Sequence, residues 1–210
     1  ESLADEDWLL QWKKDFHGFS LGKRFFVLPS WEEPPPTERA LLHIDPERAF
    51  GTGTHDTTRL AIELIEDFAR ADRAVIDAGA GTGILSMAAA VLGCKPVVAI
   101  EMDPDAVACA RGNMMRNHLE HAIRIQQSSI ADANPAPASL VLANLSVKIL
   151  QDNWTHLSEW VHPGGYIVAT GFLVEQVDEL LNELAPRHQL VQQRTAGGWA
   201  ALLIQRKRNA

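Results

Sequence analysis

The sequence is poor in cysteine, tyrosine and methionine, with two, one and four of each among 210 residues, and aromatic residues make up only 7% of it. Cys94 and Cys109 have no CxxC partner, which excludes a disulfide framework and a thiolate zinc site. Both fall where buried helix or a helix end is expected, so they read as small core residues kept reduced in a cytosol. No apolar run approaches the roughly 20 residues that span a bilayer, so no membrane helix is expected. The opening ESLADED lacks a basic start and an apolar stretch and does not read as a secretory signal. A chain that begins at Glu1 and not at Met reads as a fragment or a processed product. Basic residues are in deficit: 19 Lys and Arg against 27 Asp and Glu leave a net charge of −8. That argues against a broad nucleic-acid footprint, and no direct nucleic-acid partner is expected. The eight histidines show no HxxxH or Cys/His clustering. His118 and His121 flank a helix end, and no metal site is expected. Repeats and low-complexity tracts are also missing. What remains, 46% hydrophobic and 22% charged, is the profile of one well-cored cytoplasmic domain.

Along the chain, Trp8 and Trp12 with Leu9 point to a short amphipathic helix closed by Lys13 and Lys14. Short strands are expected at 25–28 and 40–44, with WEEPPP between them as a loop. From residue 55 the pattern changes to alternating strands and helices. Helices are expected at 55–69, 84–92, 104–117, 149–161 and 174–184. Strands are expected at 74–78, 97–100, 123–127, 140–143 and 166–170, with Pro163-Gly164-Gly165 as a turn. Residues 189–194 and 199–205 read as a closing β-hairpin. Repeated βα units imply a mostly parallel sheet with helices on both faces, and the hairpin requires an antiparallel strand. Residues 1–54 read as a linker helix and short strands that pack on a catalytic domain at 55–210.

The sharpest local pattern is VIDAGAGTG, from Val75 to Gly83. A buried strand ends at Ala78, and Gly79, Gly81 and Gly83 lead into a helix. Glycines let a backbone approach a ligand, and a helix start offers free N–H groups. A glycine turn alone is also a common structural turn. Glu101, about 20 residues further on at the end of the next strand, is spaced to accept both hydroxyls of a ribose. Asp103 reads as the N-cap of the helix opened by Pro104. The dinucleotide fingerprint is GxGxxG, and the GAGTG run here is shorter. A carboxylate at Asp77 suits the cationic amine of a methionine better than a diphosphate. The alternative for Asp77 is hydrogen bonding within the loop. These features favour S-adenosylmethionine over a nicotinamide cofactor.

Four stretches, AFGTGTHDTT, VIDAGAGTGILS, AIEMDP and ANLS, resemble the bacterial methyltransferases that modify large-subunit ribosomal protein eleven. The resemblance runs through nearly the whole chain. It implies a Rossmann-like class I methyltransferase fold with a seven-stranded sheet. It also implies transfer of methyl groups from S-adenosylmethionine to protein amines, lysine side chains or an N-terminal amine. Thr58, Gly79, Glu101 and Asn144 match family cofactor-binding positions. Glu101 stands where the family usually has Asp, and ANLS replaces the more frequent ANIL. An upstream recognition domain is also implied, so a fragment and a stand-alone homologue are both open readings. In the implied mechanism Asn144 accepts an N–H from the acceptor amine, with holding the cofactor or capping a helix as its alternatives. Thr54, His55 and Thr58 line the methionine end, with His55 as a base or as a helix-start residue. Ser129 and Ile130 follow the strand expected to cover the adenine. An inactive cofactor-binding module and a nicotinamide oxidoreductase are the competing classes.

Overall fold

The computed structural model describes residues 16–45, 50–184 and 187–208. The helix expected around Trp8 and Trp12, and Ala49 of the GTGT stretch, lie outside them. A small sheet comes first. β1 (Phe19–Leu21) pairs antiparallel with β2 (Phe25–Leu28), and β2 pairs parallel with β3 (Ala40–His43). β1 has no counterpart among the expected strands, because three residues are too few to display a period.

The main sheet contains β4 (Val75–Ala78), β5 (Val97–Glu101), β6 (Ile123–Gln127), β7 (Ala138–Asn144), β8 (Val161–Leu173), β9 (His188–Ala196) and β10 (Trp199–Arg206). Its seven strands run in the order β6-β5-β4-β7-β8-β10-β9. The pairings from β6 to β8 are all parallel, and β10 is antiparallel to both its neighbours. β10 is therefore the one strand of this sheet that runs against the rest. The sheet and its helices are the seven-stranded, mostly parallel α/β architecture expected from the sequence.

The helices are α1 (Asp56–Phe68), α2 (Ile84–Val91), α3 (Pro104–Arg116), α4 (Val147–Glu159) and α5 (Val177–Leu184). Strand residues alternate between two cores, as a period of two requires. Val75, Leu140 and Leu142 enter a core with α1, α2, the inner face of α3 and the small sheet. Ile76, Val141 and Ala143 enter a second core with α4 and α5. Phe25, Val27 and Leu42 of the small sheet are fully buried in the first core. Each such side chain contributes about 1.5–3 kcal/mol relative to exposure. Cys94 and Cys109 are both buried, and burial pushes the Cys94 thiol up.

Two expectations are corrected. Pro163-Gly164-Gly165 does not separate helix from strand but lies inside β8, which starts at Val161. The pairing with β7 jumps from Ala138↔Val161 to Leu140↔Tyr166, so the extra residues form a bulge. A bulge tolerates a residue without an N–H donor. The helix expected at 174–184 opens instead as a 3-10 turn, Val174–Gln176, before α5 begins. There Gln176 Oε1 accepts the Leu173 amide at 2.9 Å and tightens the entry.

Candidate functional site

The chain builds β4, β5 and β6 outward on one side, then crosses to place β7 on the other side of β4. A crevice forms at the carboxyl ends of strands where the order reverses this way. The glycine turn leaves β4 there. Gly79 and Ala80 donate their amides to the Ile100 carbonyl at 2.8 and 3.1 Å. Gly81 has φ +53°, and a Cβ on it would run into the Phe50 carbonyl oxygen. Gly79 has φ +73°, and its Cβ would stand 2.6 Å from Leu145 Cδ2. Only glycine meets both demands at these positions.

Glu101 closes β5 and reaches back over the turn. Its Oε2 accepts the Gly81 amide at 2.9 Å, and its Oε1 accepts the amides of Met102 and Asp103 at 2.8 and 3.0 Å. A carboxylate offers about four acceptor sites, so capacity remains for a ligand hydroxyl. Asp103 caps α3 by accepting the Asp105 amide at 2.9 Å.

These groups border a cavity of about 420 Å³, lined by Gly79, Gly81, Glu101 and Asn144 together with Phe50, Met102, Ser128, Ile130 and Ile149 among others. That volume lies within the roughly 300–1,000 Å³ range of small-molecule sites. Asn144 ends β7, and its Nδ2 lies 3.4 Å from Thr58 Oγ1 on α1. Thr58 is buried behind it. His55 is the N-cap of α1 and accepts the Thr57 amide at 3.3 Å. Its ring meets Trp199 edge-on at 4.8 Å and Phe50 at 5.8 Å.

The other expected residues stand elsewhere. Asp77 is 1% exposed, and its Oδ2 accepts the Ser86 amide at 2.9 Å and the Ser86 hydroxyl at 2.6 Å. Burial pushes its pKa up to about 6; the two Ser86 hydrogen bonds pull the other way, and the charge of Glu101 adds to the rise. Gly83 is the N-cap of α2 and faces Met114 and Ala110 of α3. Ser129 Oγ donates to Asp132 Oδ2 at 2.6 Å, and it is Ser128 that lines the cavity. Thr54 Oγ1 pairs with Thr52 Oγ1 at 2.9 Å. None of Thr54, Asp77, Gly83 and Ser129 borders the cavity. The sequence pattern did not single out Phe50, Met102 and Ile149, which are large, apolar and 61%, 69% and 44% exposed. For Met102 a signal existed, since it is an apolar residue directly after the acid that ends β5. Among the described residues no group of His, Cys, Asp and Glu is placed to share a metal ion.

A glycine turn against an acid at the next strand's end is shared by many nucleoside-binding folds, so comparison with known proteins decides among them. The family model for ribosomal protein L11 methyltransferase (PrmA) matches residues 1–207. The chain belongs to that family. A ribosomal protein L11 methyltransferase of Marinobacter nauticus is 36% identical over 205 residues, 98% of this chain and 68% of that protein. That of Heliobacterium modesticaldum is 32% identical over 206 residues, 97% of this chain and 65% of that protein. For Geobacillus kaustophilus the figures are 36% over 173 residues, 81% and 55%. The chain thus spans 55% to 68% of the length of these three relatives. A crystal structure of ribosomal protein L11 methylase from Lactobacillus delbrueckii subsp. bulgaricus superposes with a TM-score of 0.86 at 30% identity, covering 92% of this chain and all of that one. An RNA methyltransferase from Salinibacter ruber in complex with S-adenosyl-L-homocysteine has a TM-score of 0.57 at 21% identity over 71% of this chain and 89% of that one, a likeness of fold alone.

Proposed function

We propose that this chain transfers methyl groups from S-adenosylmethionine to amino groups of ribosomal protein L11, on lysine side chains, the N-terminal amine or both. The observation that carries the reading is one cavity at the switch point bordered by Gly79, Gly81, Glu101 and Asn144. The residues fit the cofactor. Glu101 has acceptor capacity for a ribose diol, and the cradle at Gly79 and Gly81 is one that a Cβ would fill. Ile100, Met102, Ala106 and Ile130 supply apolar surface for a base. S-adenosylmethionine, when bound, supplies a methyl group on a good sulfonium leaving group.

The protein's part is then to position and desolvate. Glu101 fixes the nucleoside end. Asp77, buried beneath the glycine turn, contributes a carboxylate that favours a cationic methionine amine. Thr54, Gly83 and Ser129 shape the turn, the entry of α1 and the adenine end without bordering the cavity. Asn144, backed by Thr58, presents a side-chain carbonyl that accepts an N–H of the acceptor amine and aims its lone pair inward. The amine must arrive neutral, and desolvation near a cation lowers its pKa in that direction.

The net charge of −8 supports a protein acceptor over a nucleic acid. No described helix is long and apolar enough to cross a membrane, and a ribosomal-protein acceptor supports a cytoplasmic setting. The burial of Leu21, Phe25, Val27 and Leu42 in the first core supports the packing of the 1–54 segment on a catalytic unit at 55–210. Calorimetry with S-adenosylmethionine and with NAD, followed by radiolabelled methyl transfer to isolated L11, tests the proposal. Binding of the first cofactor and label in L11 amines are expected. Preference for NAD would overturn the cofactor, and binding with no transfer to L11 would overturn the substrate.

A further inference from the structure

Phe50 borders the cavity yet is 61% exposed, so side-chain packing does little to hold it there. Its main chain is held instead. Thr82, in the glycine turn and fully buried, donates its amide to the Phe50 carbonyl at 3.0 Å and its hydroxyl to the Gly51 carbonyl at 2.6 Å. The Thr82 carbonyl in turn accepts Asn113 Nδ2 of α3 at 3.1 Å. Asn113 is also fully buried, and its Oδ1 accepts the Asp45 amide at 3.0 Å, just after β3. Arg116 Nε, one helical turn on, meets the Asp45 carboxylate at 2.9 Å. One buried asparagine therefore ties the glycine turn and the small sheet to the same helix, and one buried threonine carries that tie to Phe50. Neither Thr82 nor Asn113 borders the cavity.

We infer that Thr82, buttressed by Asn113, is a positioning residue that sets where Phe50 stands on the wall of the cofactor cavity. The inference rests on the cofactor reading above. A wall segment fixed before the ligand arrives costs less ordering entropy on binding than one that must be immobilised. Losing the clamp therefore weakens cofactor binding without altering the groups that meet the reacting atoms.

Thr82→Val keeps the shape and the backbone amide and removes the hydroxyl donor. It is expected to weaken S-adenosylmethionine binding about tenfold, the scale of one buried hydrogen bond. Turnover at saturating cofactor should stay within about twofold of the parent. Thr82→Ser, which restores the donor, should recover affinity. Phe50→Ala should lower affinity by itself and make the Thr82→Val change nearly silent, because the two act through one contact surface. Additive losses in that double-mutant cycle, or no rescue by Ser, would leave Thr82 a merely structural residue and overturn the inference. A ligand-free arm separates this outcome from failure of the cofactor reading. Hydrogen exchange at the residue 82 amide, which donates to the Phe50 carbonyl, should lose protection in Thr82→Val, and unchanged protection overturns the clamp even if the parent protein binds no S-adenosylmethionine. Should Thr82→Val fold poorly, Asn113→Ala, which removes the buttress and keeps the threonine, carries the same measurements.

Discussion

The Glu101 carboxylate accepts the Gly81 amide at 2.9 Å across a separation of 20 residues. That bond joins the two loops leaving β4 and β5, and it holds the acid over the same turn whose Gly79 and Gly81 border the cavity. The Glu101 carboxylate is thus held in place by amides that its own strand end and the neighbouring turn supply.

Glu101→Ala should therefore weaken S-adenosylmethionine binding by about 1.5–3 kcal/mol, the range for hydrogen bonds to a charged group. Glu101→Asp should fall between the two, since it keeps the charge but is one methylene short of the Gly81 amide. Titration calorimetry on variants with native circular dichroism checks this. Parent-like affinity in the Ala variant would remove Glu101 from the site.

Gly81→Ala addresses the cradle. The added Cβ meets the Phe50 carbonyl and a left-handed backbone, φ +53°. Strain of this kind costs about 1–3 kcal/mol. The variant should show a lowered urea midpoint and should lose cofactor affinity by a larger factor than its stability loss explains. A Gly81→Ala protein that binds as well as the parent would show that the turn does not contact the ligand.

Asn144→Ala separates positioning of the acceptor from holding of the cofactor. If the side-chain carbonyl aims the amine, turnover should drop by one to two orders of magnitude, roughly, while cofactor affinity changes less. Equal losses in both would confine Asn144 to the cofactor.

Asp77 gives a pH prediction. Its pKa is raised from 3.8 to about 6, mainly by burial. Between those values the folded protein keeps a proton that the unfolded chain has released. Stability from this group is fully present below about pH 4, falls as pH rises to about 6, and is flat above; the total is about 3 kcal/mol. Asp77→Asn has no such titration. The stability difference between parent and variant in urea melts should therefore shift against the parent across that window. Parallel curves would show that Asp77 does not take up the proton.

The elements legible in the sequence are those written in contiguous residues. Val75 to Ala78 form a fully buried four-residue strand, and the glycines that follow define a turn before α2 begins. Val97 to Glu101 end on an acid one βα unit later, and Gly197-Gly198 separate a polar strand from the apolar run of β10, so the hairpin was readable too. By contrast, Pro163-Gly164-Gly165 has the composition of a turn, and only pairing with β7 makes it a bulge.

What the sequence alone determined is the order of elements, the parallel class of the sheet and the approach of Glu101 to the glycine turn, because each follows from periods and spacings within one or two neighbouring units. The tertiary structure decided which side chains reach the cavity. A strand residue points to one face or the other, and that choice sends Asp77 to Ser86; the loop leaving β6 places Ser128, not Ser129, on the wall. It also decided the partners of Thr82, Asn113 and Phe50. Asn113 reaches Thr82 and Asp45 across separations of 31 and 68 residues, and no local pattern encodes contacts made only when α3 packs between the glycine turn and the small sheet.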